Sequence, residues 1–326
     1  MEPAGRSLWH LVDGLGWAGS AAAWAAIVVV VVELVQLPLS WWRGLERERR
    51  WGFSTQSTSG WLADRAKGLG VAILVTAASW TAAVALARAF PGWWPLAVAP
   101  VLAAGVLLLS YIAPVVLEPL FNRFGPLEDA QLAADLRALA RAAGVPIRDV
   151  LVADTSRRTT KVNAYVSGLG ATCRIVLSDT LLGAAGAPEV KLIVAHELGH
   201  RRDRHVVKGT ALAMAGTVAG MLVLWAVLGT RVASPRELPV ALLVLAVLEL
   251  AGLAPAAALS RRWERAADRW SLELTHDLEA FEKAHVELAR QNLSDLAPPR
   301  LAYFLLFSHP TPPERLALGR AVAAAS

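Results

Sequence analysis

Apolar residues in this chain gather into long uninterrupted runs rather than the short periodic stripes of a soluble fold. Five runs are long enough to cross a bilayer core of ~30 Å, which takes about 20 residues of helix. They fall at roughly 18–39, 68–90, 94–117, 206–230 and 238–259. The first holds Ala21 to Val32 (AAAWAAIVVVVV) and continues through Pro38 into Trp41 and Trp42, which reads as a retained helix rather than a cleaved signal. Trp17, Trp41, Trp42, Trp61, Trp93 and Trp94 lie near the run ends, where indoles favour the headgroup layer; simple packing is the alternative.

Between the third and fourth runs the pattern changes. Leu127 to Ala143 carries a helical period and stops at Gly144-Val145-Pro146. Val150 to Ala153, Asn163 to Ser167 and Arg174 to Leu177 are short β-prone runs that predict a small antiparallel sheet, and Pro188 to Arg202 is helical again. The expected architecture is a mainly α polytopic membrane protein with a small α+β region. Residues 1–120 form an N-terminal membrane region of about three helices, and 121–205 the α+β region. Two further membrane helices occupy 206–259, and 260–326 is a polar C-terminal region.

Composition sharpens this picture. Of 326 residues, 55% are apolar and 18% charged, with a mean hydropathy of +0.45, which excludes disorder and argues against a purely soluble enzyme. Cys173 is the only cysteine, so no intrachain disulfide and no Cys-rich metal cluster can form. A net charge of +5 is too mild and scattered for a nucleic-acid reader. With five crossings, the segments around 40–67, 118–205 and 260–326 share one side; all are Arg-rich, so the positive-inside rule assigns them to the cytoplasm. Glu33 and Glu249 interrupt apolar runs, where a carboxylate is costly, and should face inward.

The chemistry concentrates in Val194-Ala195-His196-Glu197-Leu198-Gly199-His200. On a helix, four residues advance about 400°, so His196 and His200 stand one turn apart on one face and can reach a single ion. Glu197 lies about 100° round from His196, placed to take a proton from water at the ion without being a ligand. Catalytic zinc takes three protein ligands and keeps one open position. Glu264 is the best third candidate, and Asp268, four residues on, could then hydrogen-bond the far nitrogen of a ligand histidine. His205 is a weaker route, about 140° off the shared face on a continuous helix.

With these residues in view the chain resembles the integral-membrane zinc CAAX prenyl endopeptidases (type I CAAX prenyl proteases), gluzincin peptidases with a glutamate third ligand. Arg50-Trp51-Gly52-Phe53-Ser54-Thr55-Gln56-Ser57-Thr58, followed by Asp64 and Lys67, is similar to that family's signature. So are Glu118 to Phe124, Asn163-Ala164-Tyr165, Gly168-Leu169-Gly170, Arg174 to Leu182, Asn292-Leu293, Ser308-His309-Pro310 and Glu314-Arg315-Leu316. The resemblance implies a zincin-like catalytic region, one Zn²⁺ per chain held by His196, His200 and Glu264, Glu197 as general base and acid, and Asp268 orienting a ligand histidine. It implies that Asn163, on an edge strand, holds the substrate backbone, that His309 donates to the oxyanion, and that Arg315 supports the His309 loop. It also implies a bacterial-type member in the plasma membrane. Seven membrane helices around a chamber are usual in the family against five here, Lys161 stands where histidine is usual, and no long insertion separates Leu182 from Lys191.

The expected function is a membrane endopeptidase hydrolysing short or C-terminal peptides, prenylated ones included. A quality-control metalloprotease of the heat-shock type is the first alternative, and a non-enzymatic membrane scaffold with structural zinc the second. The metal helix is expected to lead straight into the fourth membrane helix, and the fifth to end near Leu259.

Overall fold

The computed structural model of this protein describes residues 3–168 and 170–325; Leu169, within the Gly168-Leu169-Gly170 motif, lies outside them. The chain divides into two compact units, one made of Met1–Trp51, Gln56–Ser110 and Thr210–Ala251, the other of Gly52–Thr55, Tyr111–Gly209 and Gly252–Ser326. Among the described residues five helical stretches are long and apolar enough to cross a membrane: Arg6–Arg50, Thr58–Ala89, Trp94–Phe121, His205–Ala233 and Pro235–Thr275. They coincide with the five apolar runs. Lipid gives helices no hydrophobic reason to associate, so close packing and polar contacts must hold them together. In the first unit small residues supply the packing. Ala21 and Ala25 from helix Gly16–Trp41 and Ala83 and Ala87 from helix Thr58–Ala89 are buried beside Trp24, Trp80 and Trp94.

Two indoles in that unit donate to backbone carbonyls of the segment that joins the fourth and fifth spans. Trp94 Nε1 donates to Gly229 O at 2.9 Å and Trp80 Nε1 to Pro235 O at 3.1 Å. Trp94 is therefore a core residue, 1% exposed, and not a headgroup anchor. Trp61 is also buried, edge-on to Trp41 with ring centroids 5.4 Å apart. Trp17, Trp42 and Trp93 stay exposed near the ends. Glu33 is explained by an ion pair with Arg65 of the second span, which neutralises the carboxylate locally. Glu249 is exposed, and nothing in the structure explains it.

The second unit is built on a four-stranded sheet in the order β1-β2-β4-β3, with β1 at Phe124–Pro126, β2 at Asp149–Ala153, β3 at Ala164–Ser167 and β4 at Arg174–Ser178. It is mixed, not antiparallel as expected: β1/β2 and β3/β4 are antiparallel, whereas β2 and β4 run parallel. Helix Ala130–Ala142 starts with the Asp129 carboxylate accepting from Leu132 N at 2.9 Å and ends before Gly144, whose φ of +66° only glycine adopts freely. Leu132 and Leu136 from this helix pack with Val150, Ile175 and Leu177 of the sheet and with Val194 and Leu198 of helix Ala187–Arg202. The metal-motif helix thus has its apolar face sealed into a core and its polar face free for chemistry.

Two junctions matter for the site. Helix Ala187–Arg202 does not run on into helix His205–Leu228: it stops at Asp203, and Arg204 takes a left-handed φ of +57°. Helix Leu238–Thr275, by contrast, passes Leu259 unbroken for 38 residues and carries Glu264 and Asp268.

Candidate metal centre and active site

His196 and His200 present their Nε2 atoms 3.1 Å apart, and Glu264 faces both, with Oε2 3.3 Å from His196 Nε2 and Oε1 3.3 Å from His200 Nε2. The donor atoms of all three lie within 4.8 Å of one another. The helices that carry them meet where the chain has almost no side chain: a Cβ on Gly199 would lie 3.3 Å from Ala267 Cα and 3.3 Å from the Trp270 ring. Two imidazole nitrogens and a carboxylate converging at these distances form a donor set that a metal cation would complete. Glu264 Oε2 is shut off from water, with His196 Nε2 at 3.3 Å and Arg315 Nη2 at 4.0 Å. Two imidazoles and one carboxylate are a donor set suited to zinc with an open position.

The reverse sides of the histidines are also held. His196 Nδ1 lies 2.9 Å from Asp268 Oδ1, and Asp268 is fully buried. Arg315 Nε donates to Asp268 Oδ2 at 2.8 Å, and its Nη2 also reaches Asp268. Burial lowers the His196 pKa, but the hydrogen bonds with Asp268 and Glu264 outweigh it and raise the metal-free imidazole to about 9. Burial pushes the Glu197 carboxyl above the usual range, with His196 and His200 pulling the other way. A carboxyl held nearer neutrality is a better proton carrier than an exposed glutamate.

The site opens into a cavity of about 400 Å³ lined by Asn163, Leu192, Glu197, Glu264, His309 and Arg315 among others. Asn163 sits just before edge strand β3 and continues its ladder, donating its N–H to Ser178 Oγ and accepting from Ser178 N, both at 2.9 Å. His309 Nε2 is 3.4 Å from Glu264 Oε1, and its side chain is 61% exposed.

All eight residues singled out from the sequence are in this unit, and the structure sets Arg261, Glu314, His285 and His205 around them. The Arg315 side chain clamps Asp268. Arg261 reaches the His309 loop, its Nη1 donating to Tyr303 O at 2.9 Å and Phe307 O at 2.6 Å, with Glu314 accepting from Thr311 N at 2.8 Å. The Ser260-Arg261-Arg262 run before Glu264 was a visible signal for it. His285 is buried, donates Nδ1–H to Phe281 O at 2.8 Å and lies 3.6 Å from Asp268 Oδ1. His205 is buried with Nδ1 2.9 Å from His200 Nδ1.

The chain is similar to known proteins over both of its halves. Residues 126–321 match the model of peptidase family M48, and residues 6–123 match a family model described as CAAX prenyl protease N-terminal, five membrane helices; three of the spans here begin within that stretch. A Bacillus subtilis (strain 168) protein, the uncharacterized metalloprotease YhfN, is 32% identical over 89% of this chain and 71% of its own length. CAAX prenyl protease 1 of Saccharomyces cerevisiae is 34% identical over 53% of this chain, so the match spans only 39% of the yeast protein. The crystal structure of S. mikatae Ste24p superposes with a TM-score of 0.81 at 25% identity, covering 96% of this chain and 79% of that one. An integral membrane protein with a His-His-Glu donor set, matched by these models over both halves, is a membrane zinc metalloprotease of the CAAX prenyl protease type, and the chain belongs to peptidase family M48.

Proposed function

We propose that this protein is an endopeptidase for short or C-terminal peptides, prenylated ones included. The observation that carries this reading is the cavity of about 400 Å³ that brings an edge strand and the His-His-Glu trio to one place. His196, His200 and Glu264 hold one zinc ion, which when bound supplies Lewis-acid polarisation of the scissile carbonyl and of water. Asn163, at the mouth of edge strand β3, hydrogen-bonds the substrate main chain by strand addition. Glu197 accepts the proton of the attacking water and returns it to the leaving amine. His309 donates to the oxyanion from the loop that Arg261 and Glu314 fix. Asp268, neutralised by Arg315, keeps His196 in the tautomer whose Nε2 lone pair faces the metal.

The reading also places the second unit on the cytoplasmic side of a bacterial plasma membrane, from the arginine distribution. A cleavage assay comparing a farnesylated CAAX peptide, the same peptide without lipid, and an unfolded membrane protein tests the substrate class. Turnover of the peptides above the unfolded protein supports it. Preferential degradation of the unfolded protein would replace it with a quality-control role.

A further inference from the structure

Both candidate zinc histidines turn Nε2 toward Glu264, so each must carry its proton on Nδ1 when it binds metal. A ligand imidazole normally hands that proton to a carboxylate or carbonyl, and His196 does so, with Asp268 2.9 Å away. His200 does not. Its Nδ1 faces His205 Nδ1 at 2.9 Å, inside hydrogen-bond range, so His205 must accept and hold its own proton on Nε2. Asp203 Oδ2 lies on that side, 4.0 Å from His205 Nε2, close enough to favour that tautomer electrostatically.

The ring is fixed as well as oriented. His205 is 5% exposed and stacks on Trp263 with centroids 4.8 Å apart and planes 11° from parallel. Trp263 immediately precedes Glu264, so the helix that supplies the third ligand also supplies the platform for this ring. The placement depends on one backbone angle. A continuous helix would set His205 about 140° away from His200. The left-handed φ of +57° at Arg204 breaks the helix and turns the chain so that the two rings meet.

We propose that His205 is a positioning residue for the zinc site: a neutral imidazole that accepts the Nδ1 proton of His200 and locks its metal-facing tautomer, as Asp268 does for His196. The inference rests on His200 being a zinc ligand. The partner is uncharged, whereas Asp268 is a carboxylate whose charge Arg315 balances.

Three substitutions in the full-length protein separate positioning from packing. His205→Phe keeps a ring to stack on Trp263 and removes the acceptor; His205→Asn and His205→Leu are near-isosteric with each other and differ in having or lacking one. The readouts are the half-time of zinc loss to excess chelator, the kcat and KM of peptide cleavage, and the melting temperature of the metal-free protein. We expect zinc loss about 10–100-fold faster in Phe and Leu, with kcat falling and KM unchanged, and Asn within about threefold of the wild type. Equal retention by all three, or an Asn variant as leaky as Leu, would overturn the proposal. Should the Phe variant not fold, the Asn and Leu pair decides alone. His200→Ala is the control: zinc retained there would overturn the ligand assignment and this inference with it, whereas zinc lost there but held by every His205 variant overturns the inference alone.

Discussion

The two helices that meet at the metal centre divide the chemistry between them. Helix Ala187–Arg202 is short, lies in one compact unit and supplies bases, His196 and His200, with Glu197 between them. Helix Leu238–Thr275 is 38 residues long, includes the fifth membrane-length stretch and supplies acids, Glu264 and Asp268. Each uses the same i, i+4 spacing for a different purpose. On the short helix the spacing aims two like groups at one point; on the long helix it sends Glu264 to the front of the histidines and Asp268 behind one of them. A site assembled this way depends on the distance between two rods, which is why the contact between them is Gly199 against Ala267.

The base-and-acid pairing should be visible in pH dependence. The metal-free His196 imidazole, raised to about 9 by Asp268 and Glu264 after burial lowers it, carries a proton at neutral pH that zinc must displace. Apparent zinc affinity should therefore rise about tenfold per pH unit between pH 7 and 9, about 100-fold in all, and level off above that. Titration calorimetry in buffers of different ionisation heat should report close to one proton released from this group at pH 7. A flat profile would separate His196 from its acids.

The close contact offers the next test. Gly199→Val adds three carbons where a Cβ alone would meet backbone at 3.3 Å, and should cost about 1–3 kcal/mol in stability while moving Glu264 away from the histidines. Denaturant titration and zinc content should fall together. Stability lost with zinc binding intact would show that the two helices need not be this close.

The smallest effect concerns how the short helix ends. Arg204→Gly keeps the left-handed turn at no steric cost and should leave stability within about 1 kcal/mol of the wild type, whereas Arg204→Val should lose about 1–2 kcal/mol. A thermal or denaturant melt distinguishes them. Equal stability of the two variants would mean that the break after Arg202 is not held by this residue's conformation.

Much of this was legible in the sequence, for reasons that also explain the misses. The apolar runs announced the five spans because lipid leaves the chain few other solutions. His196, Glu197 and His200 were readable because their geometry is local to one helix. Glu264 and Asp268 were readable only once those histidines demanded a third ligand. β1 escaped notice because Phe124-Gly125-Pro126 has two residues that disfavour strands, and the parallel pairing of β2 with β4 depends on the order of strands in space, which no single run encodes. Trp94 looked like an interfacial residue because an indole at a helix end suits either a headgroup or a carbonyl such as that of Gly229. The contact of Arg315 with Asp268 was not readable because a long side chain leaves its destination open. His205 was set aside on a helical angle that one φ value undoes.

The central claim is that His196, His200 and Glu264 together hold the metal while Glu197 does not. Elemental analysis of zinc per chain in the purified wild type, Glu264→Ala and Glu197→Gln tests it most directly. The account predicts one zinc in the wild type and in Glu197→Gln, and close to none in Glu264→Ala. Full zinc in Glu264→Ala, or its loss from Glu197→Gln, would contradict it.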